Sequence, residues 1–157
     1  MEIDIRYAKK GGLEAYNNEE LLFYSTVNHN LFSRNIKVFS NDDILVLELK
    51  ISDLIFTNHY KILFQNNDFI DPIEWIDVGH IYFSKNKTLI KRYNHRIISF
   101  YWNYYYIYED VKVAQIKHNV KYHPSKMIVI IEDQNASFLN KILIHVLAMR
   151  TADPNDD

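Results

Sequence analysis

Five basic side chains are concentrated in the middle of the chain, where their chemistry suits the binding of an anion. Between Asp77 and Glu109 the sequence contains no acidic residue, whereas Lys and Arg recur among tyrosines and phenylalanines. Cations that converge on one hairpin would hold a phosphate through charge-assisted hydrogen bonds. The alternative is an exposed sheet edge that lysine protects from unwanted pairing. The candidate anion-binding residues are Lys85, Lys87, Lys91, Arg92 and Arg96.

A second candidate site is acidic and lies just before the basic one. Its carboxylates recur at intervals of three residues, whereas a calcium-binding EF-hand loop needs oxygen ligands at alternating positions and a central glycine. We therefore expect either a solvated acidic loop or a surface that recognises a protein partner. The candidate protein-interaction residues are Asp68, Asp71, Glu74 and Asp77.

The sequence contains no motif typical of an enzyme or a metal site. It has no cysteine, and its seven histidines include no His-Glu-x-x-His array. His118 and His123 are five residues apart, so on one continuous strand they would point to opposite faces. Nucleophile elbows, Walker loops and dinucleotide-binding fingerprints are also absent from the sequence. We predict a non-enzymatic protein with no catalytic residue, no metal site and no cofactor.

Charge and hydropathy restrict the expected partners and location. A formal net charge of −2 gives no overall positive field, so nucleic acid is not an expected partner. The first twenty residues lack the apolar run of a secretory signal. The longest apolar stretch, at residues 138–149, is shorter than the roughly 20 residues that cross a bilayer. We therefore expect a cytoplasmic protein without a membrane span, and the lack of cysteine fits a reducing compartment.

Apolar and aromatic runs separated by short polar turns predict a sheet built from hairpins. The aromatic residues at alternate positions from 100 to 108 would share one strand face, either as a wall of the core or as an exposed stacking platform. The hairpin pattern occurs at residues 36–50, 81–91 and 104–117. Runs rich in β-branched and aromatic residues predict further strands at residues 54–64, 96–100 and 127–131.

Two segments depart from the strand pattern and predict helices. In the first, Asp71 can cap a helix, Pro72 suits the first helical position and Glu74 follows three residues after the cap, which predicts a short helix over residues 72–77. In the second, residues 135–150 begin with a possible cap at Asn135 and are apolar on nearly every side. A helix of this kind must be buried nearly all round.

Residues 106–117 form one of the repeated strand–turn–strand units, and residues 138–149 follow as a terminal apolar helix. In this combination the chain resembles the tubby C-terminal-like superfamily, which includes the LURP-one-related and phospholipid scramblase families, over residues 35–152. The resemblance implies a closed β-barrel of about a dozen strands with the C-terminal helix threaded through its axis. The resemblance also implies phosphoinositide binding, for which tubby-domain proteins are known. It does not assign a lipid-contacting role to any residue of this chain.

We therefore expect a single mainly β domain over residues 1–157 with a buried C-terminal helix. Residues 1–34 would be an N-terminal lead-in, residues 35–152 a complete, reduced or irregular tubby-like barrel with its helix, and residues 153–157 an acidic tail. The expected function is that of a binding module for an anionic ligand, such as a phospholipid headgroup, or for another protein. The alternative is a protein of the bacterial toxin-immunity type, which would bind a basic partner through the acidic loop.

Overall fold

The computed structural model describes residues 1–8, 11–53, 58–83, 87–94, 101–119 and 126–151. Within these ranges the chain forms twelve β-strands, a 3-10 helix at Asp133–Phe138 and an α-helix, α1, at Leu139–Thr151. The first six strands are β1 (Glu2–Tyr7), β2 (Leu13–Asn17), β3 (Glu20–Asn30), β4 (Ser33–Ser40), β5 (Leu45–Asp53) and β6 (Asn58–Gln65). The other six are β7 (Ile73–Ile76), β8 (His80–Phe83), β9 (Lys87–Asn94), β10 (Tyr101–Tyr108), β11 (Val111–Asn119) and β12 (Lys126–Ile131).

All twelve strands belong to one antiparallel sheet that curls into a nearly closed barrel. Strands β1 to β6 pair in sequence order, strands β7 to β12 do the same, and β1 pairs with β12 to join the two halves. β6 and β7 stand at the two ends of the strand order and form no ladder with each other. We call the interval between these two strands the seam.

The α-helix lies inside the barrel. Residues 141–149 are all buried, including a lysine and a histidine. Ser25 on β3 hydrogen-bonds Thr151 at the end of the helix, and Tyr106 on β10 hydrogen-bonds His145 in its middle. Because strands from different parts of the barrel contact the helix, it is enclosed rather than attached to one outer face. The predicted burial is therefore confirmed, and it explains why the helix is apolar on nearly every side.

Alternating burial along the strands builds the core. Ile36 and Val38 on β4 are fully buried, and so are Leu49 and Leu47, their partners on β5. This period of two is the pattern that predicted the hairpins, because successive side chains of a strand point to opposite faces. All three predicted hairpins are confirmed, as β4–β5, β8–β9 and β10–β11. The predicted strand at 127–131 is confirmed as β12, that at 54–64 overlaps β6, and residues 96–100 lie outside the described residues.

Tight turns between strands are made largely without glycine. Glu109 and Asp110 connect β10 to β11 with φ angles of 48° and 63°, the left-handed conformation that a two-residue hairpin turn requires. Gly12 is a position where glycine is needed. Its φ is 93°, and a side-chain carbon there would overlap the carbonyl oxygen of Ser25 on β3. A barrel of twelve strands is thus compatible with the three glycines of the sequence.

The predicted helix over residues 72–77 is wrong, because this segment contains strand β7. Ile73 and Ile76 are buried in the core, and Trp75 pairs across the ladder with Tyr82 on β8. Burial of two isoleucines and the aromatic cross-strand pair outweigh the capping pattern.

The N-terminal residues 1–34, expected to be a lead-in, carry strands β1 to β3 and part of the barrel wall. Ile3 on β1 pairs with Val129 on β12, and this contact between distant parts of the chain joins the halves of the sheet. The enclosed helix begins at Leu139 rather than near Asn135, which lies in the 3-10 helix. No helix in the described part of the chain has the length and apolarity needed to cross a membrane.

Candidate protein-interaction site

Acidic residues are concentrated at one end of the barrel. Connections between antiparallel strands alternate between the two ends, and α1 starts at the end that we call the acidic end. In the described parts of the connections there, every carboxylate is exposed and no Lys or Arg occurs. The carboxylates are Glu19, Asp42, Asp43, Asp68, Asp71, Glu109, Asp110, Glu132 and Asp133.

Several basic residues lie toward the opposite end. Arg34 follows the turn between β3 and β4, Lys50 pairs directly with Lys61 across β5 and β6, and Arg150 lies in the last turn of α1. The acidic end therefore carries a local excess of exposed carboxylates, with the exposed Lys87 and Lys112 on strands that leave it, although the net charge of the chain is only −2. A charge distribution of this kind attracts and orients a charged partner at one end of the molecule.

Residues 66–72 connect the two seam strands at the acidic end. Asp68 and Asp71 are both exposed, and Asp71 forms an ion pair with Lys141 in the first turn of α1. The Lys141 side chain is only 7% exposed, and its ammonium group lies 4.6 Å from the ring centroid of Phe83. The ion pair therefore fastens the connecting loop to the enclosed helix.

A cavity of about 270 Å³ lies between this loop and the start of α1. The amide of Asn140, in the cavity wall, donates a hydrogen bond of 3.1 Å to the carbonyl oxygen of Phe69. Most side chains around the cavity carry polar groups, so it suits a polar group of a partner better than an apolar one. The lining residues with polar side chains are Asn67, Asp68, Asp71, Ser137, Asn140 and Lys141.

The other two predicted acidic residues lie apart from this loop and from each other. Glu74 is exposed on β7. Asp77 follows β7 at the opposite end of the barrel, where its Oδ1 accepts hydrogen bonds of 2.7 Å from the backbone N–H groups of Gly79 and His80. Its carboxylate is thus engaged in the turn between β7 and β8. Asp68 and Asp71 thus lie in the loop that connects the seam strands, Glu74 lies on β7, and Asp77 lies at the far end of β7 from that loop.

Each seam strand contains a β-bulge that turns consecutive side chains toward solvent. In β6 the bulge leaves Leu63 and Phe64 exposed, and in β7 it leaves Glu74 and Trp75 exposed. Sequence reasoning missed these apolar residues, because a bulge is not visible in an alternating hydropathy pattern. The seam surface, as we name it, consists of Leu63, Phe64, Asp68, Asp71, Glu74 and Trp75.

The predicted anion-binding residues do not form one exposed group within the described chain. Lys87 and Arg92 are exposed, whereas Lys91 is buried with its ammonium group 4.8 Å from the ring centroid of Tyr104. Lys91 and Arg92 are adjacent on β9 and therefore point to opposite faces. Lys91 is therefore not part of an exposed group with Lys87 and Arg92. Lys85 and Arg96 lie outside the described residues.

A buried polar network links the enclosed helix to the barrel wall. His145 Nε2 donates a 2.6 Å hydrogen bond to the carbonyl oxygen of Asp77, which leaves its Nδ1 to accept a hydrogen bond from the Tyr106 hydroxyl. Burial lowers the pKa of His145 to about 3, and the positive charge of Lys91 adds to the effect. His145 is therefore neutral at physiological pH and has a structural role. No group of His, Asp and Glu side chains in the described part of the chain is placed to hold a metal ion.

The row of alternating aromatic residues on β10 forms part of the core. Tyr104 and Tyr106 are both buried, and the partly buried ring of Tyr108 lies 4.9 Å from that of Phe138, centroid to centroid. The interpretation as a core wall is confirmed for these tyrosines. The Trp102 side chain and Phe100 lie outside the described part.

Comparison of the chain with models of protein families, with curated proteins and with solved structures finds no match.

Proposed function

We propose that this chain is a non-enzymatic binding module that recognises a basic protein partner with its acidic end and its seam surface. The observation that carries the proposal is the meeting of exposed carboxylates with exposed apolar side chains at β6 and β7, the two strands that share no ladder across the seam. Protein interfaces combine apolar and aromatic anchors with complementary charge, and the charge sets specificity and the rate of association.

The carboxylates of the seam surface are available to a partner in different degrees. Asp71 is paired with Lys141, whereas no ion pair joins Asp68 or Glu74 to another described residue. Exposed like charges repel within a screening length of about 8 Å at physiological ionic strength. Lysine or arginine side chains of a partner would relieve this repulsion, so binding would be strongest at low salt.

The helix dipole accounts for only part of the acidic end. A carboxylate near the first turn of a helix is stabilised by the partial positive charge there, and Asp71 meets this condition through its contact with Lys141. The stabilisation by the helix dipole is confined to about the first helical turn. Glu109 and Asp110 lie outside it, in the hairpin that connects β10 to β11. Their charges do not contribute to the helix, and they add only to the general negative field of the acidic end.

Recognition of an anionic phospholipid headgroup has less support from the described residues. It requires several exposed cations to converge, and Lys91 is directed into the barrel while Lys87 and Arg92 remain exposed. A protein of the toxin-immunity type, which covers a basic partner, fits the acidic surface better. We also propose that the fold is that of the tubby C-terminal-like superfamily, supported by the twelve antiparallel strands around a C-terminal helix.

The test is capture of partners from the native host with the full chain as bait, followed by mass spectrometry. Two matched variants remove two charges each: Asp68→Asn with Glu74→Gln from the seam surface, and Glu109→Gln with Asp110→Asn from elsewhere at the acidic end. The proposal expects a basic protein that is released by salt, weakly retained by the first variant and fully retained by the second. If the chain instead sediments with anionic vesicles and retains no basic protein, the proposal is wrong and lipid recognition takes its place.

A further inference from the structure

Three aromatic rings form a cluster on β7 and β8 beside the seam. The ring centroid of Trp75 lies 5.0 Å from that of Tyr82 and 6.4 Å from that of His80, and Tyr82 and His80 are 6.0 Å apart. The Trp75 residue is nevertheless 44% exposed. The strand is held in the core by Ile73 and Ile76, so the fold does not depend on burial of the indole.

A carboxylate accompanies this indole at the same bulge. Glu74 precedes Trp75, is exposed and forms no ion pair with another described residue. The irregularity in pairing between Ile73 and Trp75 explains why two consecutive side chains of one strand both face solvent. An indole face and a carboxylate are the two groups that a guanidinium ion contacts most favourably, by stacking and by charge-assisted hydrogen bonds.

We propose that Trp75 and Glu74 together form the anchor point for an arginine side chain of the basic partner. The inference rests on the proposed function, because it names the group that would occupy the seam surface. The guanidinium of this arginine would stack on the Trp75 indole, which Tyr82 and His80 support. Its N–H groups would donate hydrogen bonds to the Glu74 carboxylate. Arginine is favoured over lysine because a planar, weakly hydrated guanidinium can stack and donate in one pose, whereas an ammonium ion is a compact point charge.

The charge of Glu74 and the aromatic ring of Trp75 favour arginine over an apolar side chain as the group bound there. A purely apolar partner side chain would leave Glu74 beside an apolar contact and partly desolvated, which costs free energy. Tryptophan, tyrosine and arginine are also the residues most enriched among those that dominate binding energy at protein interfaces.

The experiment titrates the folded full-length chain with a capped tetra-arginine peptide at low ionic strength. Calorimetry gives the Kd for every variant, and NMR follows the Trp75 indole N–H signal in the chains that retain Trp75. The signal is assigned from its absence in Trp75→Phe. The variants are Trp75→Leu, which keeps apolar area without a π face, Trp75→Phe, which keeps a weaker π face, and Glu74→Gln. The matched control is Asp110→Asn, which removes a charge from the acidic end far along the strand order from β7.

We expect Trp75→Leu to raise the Kd for tetra-arginine about 2- to 5-fold, with Trp75→Phe between it and the native chain. The Kd for capped tetra-lysine should change less than that for tetra-arginine when Trp75 is replaced. Equal tetra-arginine Kd values for the native chain and Trp75→Leu, with weaker binding by Asp68→Asn, would overturn the anchor and leave the proposed function standing. If neither Trp75→Leu nor Asp68→Asn changes the Kd, both the anchor and the proposed function fail.

Discussion

Acid should destabilise this protein through His145, which is enclosed by the barrel. Its pKa is about 3 in the folded chain, against an ordinary value of 6.5 in an unfolded one. Between these values the unfolded chain binds a proton that the folded chain does not, so the free energy of unfolding falls as the pH falls. The contribution is fully present above pH 6.5 and is lost as the pH approaches 3.

The size of the effect follows from the two pKa values. Lowering the pH from 7 to 5 should protonate His145 almost completely in the unfolded chain and hardly at all in the folded one. This difference removes about 2 kcal/mol from the free energy of unfolding. A second buried histidine, His118, has a pKa lowered to about 4 by burial and by Arg150, and it adds a loss of its own.

The assay is urea unfolding at pH 7 and pH 5 for the native chain and His145→Gln. Glutamine does not titrate, and it can still accept from the Tyr106 hydroxyl and donate to the Asp77 carbonyl. His118 is common to both proteins, so its effect cancels in the comparison. The native chain should lose about 2 kcal/mol more than the variant between the two pH values. Equal losses in both proteins would refute the reasoning, as would an NMR titration in which His145 is protonated above pH 5.

Three further predictions concern stability and are all measured by urea or thermal unfolding. Asp71→Asn should cost about 1–3 kcal/mol because it leaves the buried Lys141 ammonium without its carboxylate, whereas Lys141→Met should change stability by less than about 1 kcal/mol; equal costs would contradict this. Gly12→Ala should destabilise by about 3 kcal/mol or more through overlap with the neighbouring strand, and Gly11→Ala, which meets open space at positive φ, by only about 1–2 kcal/mol. Leu143→Asp should prevent folding, because it places an unpaired charge at a fully buried position; a soluble variant of native stability would disprove the enclosed helix.

Much of the fold could be predicted because its signals are local. The alternation around Ile36 and Val38 specifies a strand that is buried on one face, and the apolar surface of residues 138–149 requires burial on all sides. The role of the first 34 residues could not be predicted in the same way. The pairing of Ile3 with Val129 joins strands from opposite ends of the sequence, and neither segment alone indicates the other.

The errors arose where tertiary contacts outweighed local patterns. Asp71, Pro72 and Glu74 match the start of a helix, but two buried isoleucines and the pairing of Trp75 with Tyr82 make the segment a strand. Composition also could not show that Lys91 points inward, because the direction of a side chain depends on strand register.

The candidate site was predicted only in part. Asp68, Asp71 and Glu74 were visible as spaced carboxylates. The exposed apolar residues beside them depend on two bulges at strands that end the sheet order, and these features emerge only when the barrel is assembled.

The measurement that tests the central claim most directly is the affinity of the basic partner recovered from the host, determined by calorimetry for the native chain and the two matched double variants. Replacement of Asp68 by Asn and Glu74 by Gln should raise the Kd about 2- to 30-fold, since each exposed charge pair contributes about 0.2–1 kcal/mol. The Glu109→Gln, Asp110→Asn variant should bind nearly as the native chain does, and the difference between the variants should shrink as salt is added. Equal affinities for all three proteins, unchanged by salt, would contradict recognition at the acidic end and the seam surface.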